Sequence, residues 1–407
     1  MEPTLVRILS RNVYVRVLLV AGLFALLLVP NAGTSARSTA QSVPIAITVY
    51  GQADSFTTKD INHGGLSAAS LYWPRDAAVD GRGGLYVADT FNNRVLHYPA
   101  RSITPDRVYG QGGLFTRNDL NHGGLSAASL RLPCGVAVDG SGGLYVADTT
   151  NERVLYYRAG STIPDRVYGQ GGLFTTRDRN HGGVSAASLY EPTAVAVDGR
   201  GGLYVVDGIN ARVLHYPAGS TTADRVYGQG GLFTTGPGDF NHGGLSAASL
   251  HVAFGVAVDG SGGLYLADSA NNRVLHYPAG STTADRVYGQ GGLFTTGGYN
   301  HGGVSAASLY DPTGVAVDGG GGLYVADAGN GRVLHYPAGS TTADHVYGQG
   351  GLFTTGGYNH GGVSATSLAA PQGVAVDGSG GLYVVDTNNN RVLYYPGKAQ
   401  THRASRN

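Results

Sequence analysis

The residues best suited to chemistry are histidines that recur in the phrase Asn-His-Gly-Gly. Their spacings are 59, 59, 61, 59 and 59 residues: His63, His122, His181, His242, His301 and His360. Imidazole nitrogen is a common zinc ligand, but zinc needs about four ligand atoms within about 2.3 Å. Six side chains spread evenly around one body are too far apart to share an ion. We therefore interpret them as turn residues, with Asn and His bonded to nearby backbone.

A second repeated set pairs an acid with a base. An aspartate ends one apolar run of every repeat: Asp89, Asp148, Asp207, Asp268, Asp327 and Asp386. An arginine follows each of them by five residues: Arg94, Arg153, Arg212, Arg273, Arg332 and Arg391. An active site needs such a pair once, whereas this chain has six copies. We interpret the pair as an ion pair or turn hydrogen bond within every repeat.

The repeat that holds these residues extends over 47–396 and predicts an all-β fold. The fifth copy has four short strand-like runs, at 314–318, 323–327, 332–336 and 344–348, separated by Gly, Asn and Pro turns. Six units of four antiparallel strands predict a six-bladed β-propeller. Residues 47–52 form a spare fourth strand, and the last unit stops after its third. We therefore predict that the N-terminal strand pairs with the C-terminal blade and closes the ring.

Three segments of the fifth copy resemble the NHL repeat: residues 312–318 (PTGVAVD), 322–327 (GLYVAD) and 330–334 (NGRVL). The resemblance recurs six times over 47–396. One difference is a longer connector between units, which contains an inserted Asn-His-Gly-Gly-x-Ser-Ala-x-Ser-Leu segment. NHL propellers include RNA-binding modules, adhesion modules and an amidating lyase with metal sites. The resemblance therefore implies the fold and leaves the function open.

The six copies differ mainly in three places: the start of the first strand, the turn after the second strand, and the stretch before the repeated histidine. In a propeller with this strand order all three lie on one face, the top face. The turns of the opposite, bottom face barely vary. A ligand without six-fold symmetry needs a surface without it, so we predict a binding site on the top face near the axis. The predicted ligand-binding residues are Trp73, Arg75, Tyr190, His251, Phe254 and Tyr310.

The predicted function is a non-enzymatic recognition scaffold that binds a protein or glycan through the top face and needs no cofactor. Trp73 and Arg75 are its predicted anchors, because Trp and Arg are enriched at binding hot spots. The alternative is a metal-dependent lyase or lactonase with its site at the axis. Its metal ligands would be Asp76, Glu191, His251 and Asp311, one from each of four blades.

Charge and the N-terminus bear on partners and location. Residues 1–36 contain three basic and one acidic residue, so 24 basic and 26 acidic residues follow. This balance argues against nucleic-acid binding, which favours a basic excess.

Arg7, Arg11 and Arg16 precede an apolar run at 17–29 and then small residues, as in a secretory signal peptide or a membrane anchor. We predict a secreted or cell-envelope monomer with a linker at 37–46 and a tail at 397–407.

Overall fold

The computed structural model describes residues 43–397, which form six four-stranded antiparallel sheets. The all-β, six-bladed propeller prediction is therefore confirmed. The predicted signal peptide or anchor (1–36), residues 37–42 of the predicted linker and residues 398–407 of the predicted tail lie outside the described residues. Within 43–397, no helix has the length and apolar character needed to cross a membrane.

Each blade is one sheet, and its strands follow the chain from the axis outward. Blade 1 contains β2 (Asp76–Val79), β3 (Leu85–Asp89), β4 (Arg94–Tyr98) and β5 (Arg107–Tyr109). Blade 2 contains β6 (Gly135–Val138), β7 (Leu144–Asp148), β8 (Arg153–Tyr157) and β9 (Arg166–Tyr168). Blade 3 contains β10 (Pro192–Val197), β11 (Leu203–Asp207), β12 (Arg212–Tyr216) and β13 (Arg225–Tyr227).

The remaining three blades follow the same plan. Blade 4 contains β14 (Ala253–Val258), β15 (Leu264–Asp268), β16 (Arg273–Tyr277) and β17 (Arg286–Tyr288). Blade 5 contains β18 (Pro312–Val317), β19 (Leu323–Asp327), β20 (Arg332–Tyr336) and β21 (His345–Gly348). Blade 6 contains β22 (Pro371–Val376), β23 (Leu382–Asp386), β24 (Arg391–Tyr395) and, as its outermost strand, β1 (Thr48–Tyr50).

Short 3-10 turns punctuate the blades. Five follow second strands, at Thr90–Asn92, Thr149–Asn151, Ser269–Asn271, Ala328–Asn330 and Thr387–Asn389. Two follow fourth strands, at Gln229–Gly231 and Gln349–Gly351. Because adjacent strands are antiparallel, the turns after second strands and the connectors between blades lie at the top. The turns after first and third strands lie at the bottom.

The core consists of six hydrophobic clusters, one between each pair of successive blades. The cluster between blades 6 and 1 joins Tyr50, Leu96 and Val385, so the series of interfaces has no gap. In blade 6, β1 pairs with β24 in antiparallel register, with Val49 opposite Leu393. Every blade therefore buries both faces, which is how short strands obtain enough apolar contact to be stable.

Small residues near the axis let the innermost strands approach at backbone distance. A methyl group added to Gly135 would lie 2.7 Å from the Cα of Ala194 in the next blade. One added to Gly373 would lie 2.8 Å from the Cα of Asp76. Both are closer than real Cβ contacts, so these glycines are needed for the close approach itself. Asp76 occupies the corresponding place in blade 1 and is a marked exception among these small residues.

The repeated aspartate and arginine form a buried network in every blade, which confirms their structural interpretation. In blade 3, Arg212 Nε donates to Asp207 Oδ2 at 2.7 Å, and both side chains are fully buried. The other guanidinium nitrogens donate to the carbonyl oxygens of Phe233, Ser185 and Ser188. One side chain thus joins the second-strand end to the connectors before and after it.

Candidate functional site

The start of each innermost strand is held at the top of the propeller by the neighbouring aspartate. Asp207 Oδ1 accepts a hydrogen bond from the backbone N–H of Tyr190 at 2.7 Å. The same bond, at 2.7–2.9 Å, holds every residue of what we term start position 1: Tyr72, Arg131, Tyr190, His251, Tyr310 and Ala369. Because the bond uses the backbone, the side chain at this position can differ without disturbing the blade.

The next residue, start position 2, has an unusual backbone. Its six members are Trp73, Leu132, Glu191, Val252, Asp311 and Ala370. Trp73, Glu191 and Asp311 have φ of 49°, 50° and 50°, in the left-handed region that large side chains rarely adopt. Asn390 Oδ1 accepts from the N–H of Trp73 at 2.8 Å, and Asn272 does the same for Asp311 at 2.9 Å. The surrounding structure thus supports a costly conformation at predicted site residues.

Start positions 3, 4 and 5 are the residues that follow, in blade 1 Pro74, Arg75 and Asp76. Arg75 is the most distinctive of the predicted ligand-binding residues. Its side chain is buried, with 7% of the residue exposed. Its Nε has no hydrogen-bond partner within residues 43–397. Burial raises the pKa of Asp311 in blade 5 and of the Cys134 thiol in blade 2, and the charge of Arg75 partly opposes both shifts. The charge of the Arg75 guanidinium in blade 1 therefore influences groups in two other blades near the axis.

Four of the other five predicted ligand-binding residues form aromatic contacts on the top face. Trp73 packs on Phe91 of the adjacent turn, with ring centroids 4.7 Å apart. His251 packs on Phe240 at 4.5 Å, and Tyr310 on Tyr299 at 5.2 Å. These contacts join all three variable regions of the sequence. Tyr190 lies under the guanidinium of Arg179 at 5.0 Å, and Phe254 is half-buried at start position 4.

Several carboxyl groups near the start positions have raised pKa values. Burial raises the pKa of Asp76 to about 7, although its oxygens accept from the N–H groups of Val136 and Ala77. Burial raises the pKa of Asp311 to about 6, and Asp327 adds to this. Burial also raises the pKa of Glu191, whose Oε2 has no hydrogen-bond partner among the described residues. These groups titrate nearer neutrality than ordinary carboxyl groups do.

The four residues of the alternative metal site lie at different positions along the starts of their innermost strands. His251 is at start position 1, Glu191 and Asp311 are at start position 2, and Asp76 is at start position 5. Within residues 43–397, ligand atoms of three His, Cys, Asp or Glu side chains come within 4.8 Å of one another only at His335, Asp344 and His345. The structure thus places the four residues around the axis without gathering three of them into a preformed ligand set.

The repeated histidines lie on separate connectors, and their partners differ from the sequence-based interpretation. His63 Nδ1 lies 2.9 Å from the carboxylate of Asp60, and His242 Nδ1 lies 2.6 Å from that of Asp239. The Asn62 side chain bonds to that of Asn92 rather than to backbone. The predicted backbone bonds were therefore wrong for these side chains. On the connectors into blades 1 to 4, an aspartate three residues before the histidine provides a stronger, charge-assisted acceptor.

Glu152 is a residue near the site that sequence reasoning missed. Glu152 is almost fully buried, and its Oε2 accepts a hydrogen bond from the N–H of Glu191 at 2.5 Å. Burial raises the pKa of Glu152 to about 8, and the nearby Glu191 adds to this. In three other blades Asn93, Asn272 and Asn390 occupy the same left-handed position. The replacement of Asn by Glu was visible in the sequence and was the available signal.

The NHL repeat family model matches residues 309–336 and 368–395. These segments include the innermost three strands of blades 5 and 6. The chain is a six-bladed β-propeller that contains NHL repeats in blades 5 and 6.

Solved structures similar to the NHL propeller share little sequence with it. A Bacteroides thetaiotaomicron protein of unknown function is 16% identical with a TM-score of 0.52, covering 86% of this chain and 75% of that one. A streptogramin B lyase is 11% identical with a TM-score of 0.47, covering 82% and 95%. Kuenenia stuttgartiensis hydrazine synthase is 13% identical with a TM-score of 0.49, covering 81% and 96%. A search of curated proteins found no match. The Bacteroides likeness shows the fold alone.

Proposed function

We propose that the NHL propeller is a recognition scaffold that binds a protein or a glycan through its top face near the axis. The observation that carries this proposal is that, at start position 1, the backbone hydrogen bond is the same in all six blades whereas the side chain differs. Six aspartates hold the six backbones in the same way, while the side chains are Tyr, Arg, Tyr, His, Tyr and Ala. A constant frame with differing side chains suits recognition of an asymmetric ligand.

Arg75 supplies the polar anchor of the proposed site. A buried polar group without a hydrogen-bond partner is unfavourable, by about 1–3 kcal/mol and more when charged. A ligand carboxylate or carbonyl oxygen would supply the missing acceptor for Nε. Binding would thereby relieve a cost that the free protein carries, which favours an acidic peptide side chain or an acidic sugar at this point.

Exposed aromatic side chains supply the apolar part of the surface. Tyr299, Tyr358 and Phe240 precede repeated histidines on the connectors of blades 4 to 6 and expose 62%, 46% and 38% of their surface. Ile61 and Leu120 hold the same place at the connectors into blades 1 and 2. The exposed aromatic side chains of the connectors are therefore concentrated on one side of the face. Tyrosine rings offer large rigid contact area together with a hydroxyl group, which suits sugar rings and peptide side chains alike.

The second candidate, an enzyme with its site at the axis, is favoured by one observation. Asp76 and Asp311 have pKa values of about 7 and about 6, close to the values that proton transfer near neutral pH requires. Incubation of a captured ligand with the protein, followed by mass spectrometry of the ligand, separates the two candidates. A scaffold returns the ligand unchanged, whereas a lyase or lactonase returns a cleaved product.

We further propose that the chain is exported and acts as a monomer, without a nucleic-acid partner or a cofactor, outside the cell or in the cell envelope. The support is the basic, apolar and small-residue succession at 1–36. Mass spectrometry of the mature protein should find an N-terminus near Arg37 or Gln41. Intact Met1 in a soluble cytoplasmic fraction would contradict export, and intact Met1 in the membrane fraction would indicate an anchor.

Replacement of the two anchors should separate binding from stability. With a ligand found by glycan array or pull-down, Trp73→Ala and Arg75→Ala together should weaken binding tenfold or more, which is about 1.4 kcal/mol. The matched control is Arg82→Ala with Arg200→Ala, because both side chains are exposed in bottom turns. Titration calorimetry and melting temperature should be measured for each. Weaker binding by the control pair alone would contradict the top-face site.

A further inference from the structure

Three side chains suited to metal binding meet at the bottom edge of blade 5. His335 lies on β20, Asp344 ends the turn that follows, and His345 begins β21. The Nδ1 atoms of His335 and His345 lie 2.5 Å and 2.9 Å from the same Asp344 carboxylate oxygen. The two histidines are also direct cross-strand neighbours, so the sheet itself brings their rings together.

The cluster exists because blade 5 departs from the other copies at one residue. The place of His345 is taken in blades 1 to 4 by Arg107, Arg166, Arg225 and Arg286. In those blades the arginine donates to a tyrosine hydroxyl, as from Arg286 to Tyr288. Blade 4 retains the matching acid and histidine, with His276 Nδ1 at 2.6 Å from Asp285. A guanidinium cannot ligate a cation, so only the exchange to histidine completes a ligand set.

We propose that His335, Asp344 and His345 bind one divalent transition-metal ion, with zinc as the best match. Imidazole and carboxylate together suit zinc, and three protein ligands with one water make a tetrahedral site. Metal–ligand bonds of about 2.0–2.2 Å set ligand atoms roughly 3.4 Å apart. The observed separations are smaller by less than about 1 Å, which rotation of the Asp344 side chain can supply. Asp344 is 40% exposed, so an ion can reach it from solvent.

The electrostatic surroundings also suit a cation. Asp318 lies on the other side of His335, with its carboxylate 3.7 Å from Nε2. With metal on Nδ1, the Nε2–H of His335 faces this acid, as in carboxylate–histidine–zinc arrangements. This site lies on the bottom face and goes beyond the proposed top-face function.

Zinc titration of the chelator-treated protein tests the proposal, with variants taken from the chain's own repeats. Wild type should bind one equivalent of zinc that His345→Arg lacks or binds at least tenfold more weakly. His335→Tyr should show the same loss, because tyrosine occupies this place as Tyr156 and Tyr394. Zinc should raise the melting temperature of wild type and not of these variants.

A gain-of-site variant makes the test sharper. Arg286→His should create the same triad in blade 4 with His276 and Asp285, and so raise the stoichiometry from one to two. The histidine–aspartate pairs of the connectors, such as His63 with Asp60, are present in every variant and cancel in the comparison. Equal zinc binding by wild type and His345→Arg would overturn the proposal. Failure of Arg286→His to gain a site would overturn it as well.

Discussion

Arg212→Met is expected to lower the free energy of unfolding by about 3–5 kcal/mol, the usual cost of removing one partner from a buried ion pair. Burial already raises the pKa of Asp207, and the charge of Arg212 is the main influence that opposes this. Without the guanidinium, Asp207 must remain as an uncompensated charge or take up a proton. The carbonyl oxygens of Phe233, Ser185 and Ser188 also lose their donor. Chemical denaturation monitored by circular dichroism measures the loss.

The chain offers an exposed ion pair as a control. Arg158 Nε contacts Asp165 across a bottom turn, where the arginine side chain is 77% exposed. Arg158→Met should leave the unfolding midpoint unchanged, because exposed pairs add little. Adding Asp207→Asn to Arg212→Met should recover part of the loss, since it removes the stranded acid. Equal effects of Arg212→Met and Arg158→Met would show that the buried network does not stabilise the blade.

The fold was predictable because the same pattern of strand and turn residues recurs six times in the sequence. In the fifth copy, the predicted runs at 323–327 and 332–336 coincide with β19 (Leu323–Asp327) and β20 (Arg332–Tyr336). The first strand begins two residues earlier than predicted, at Pro312, where the ladder has an irregularity before Val315. Proline lacks an N–H and cannot donate a hydrogen bond to the neighbouring strand. The alternation of side chains, on which the prediction was based, therefore does not mark where the strand begins.

The details of the site were less predictable, because its hydrogen bonds join residues that are distant in sequence. Asp76 accepts from the N–H of Val136, and Glu152 accepts from the N–H of Glu191. The sequence shows that each acid departs from the pattern of its repeat, but not which neighbour it contacts. The His345 cluster is a further example. Its signal in the sequence was a single Arg-to-His exchange. The cross-strand register of blade 5 places His345 opposite His335, and the sequence alone does not show this pairing.

Removal of residues 1–52 should destabilise the whole propeller, because it removes β1 from blade 6. Val49 belongs to the cluster between blades 5 and 6, and Tyr50 to the cluster between blades 6 and 1. Loss of two such buried side chains costs about 3–6 kcal/mol on burial alone. The backbone of β24 would also become an exposed edge, which invites pairing between molecules. We expect a lower melting temperature and, by light scattering, aggregation on heating.

The matched control is a chain that begins at Val43 and so retains β1 with its neighbouring Ala46. The N–H of Ala46 donates to Ala365 in the connector before blade 6, which holds the strand beside β24. This chain should melt as the full-length protein does. The comparison isolates ten residues, 43–52, from everything before them. Identical melting of the two truncated chains would mean that β1 adds nothing to the ring, and that five complete blades and a three-stranded sixth suffice for its stability.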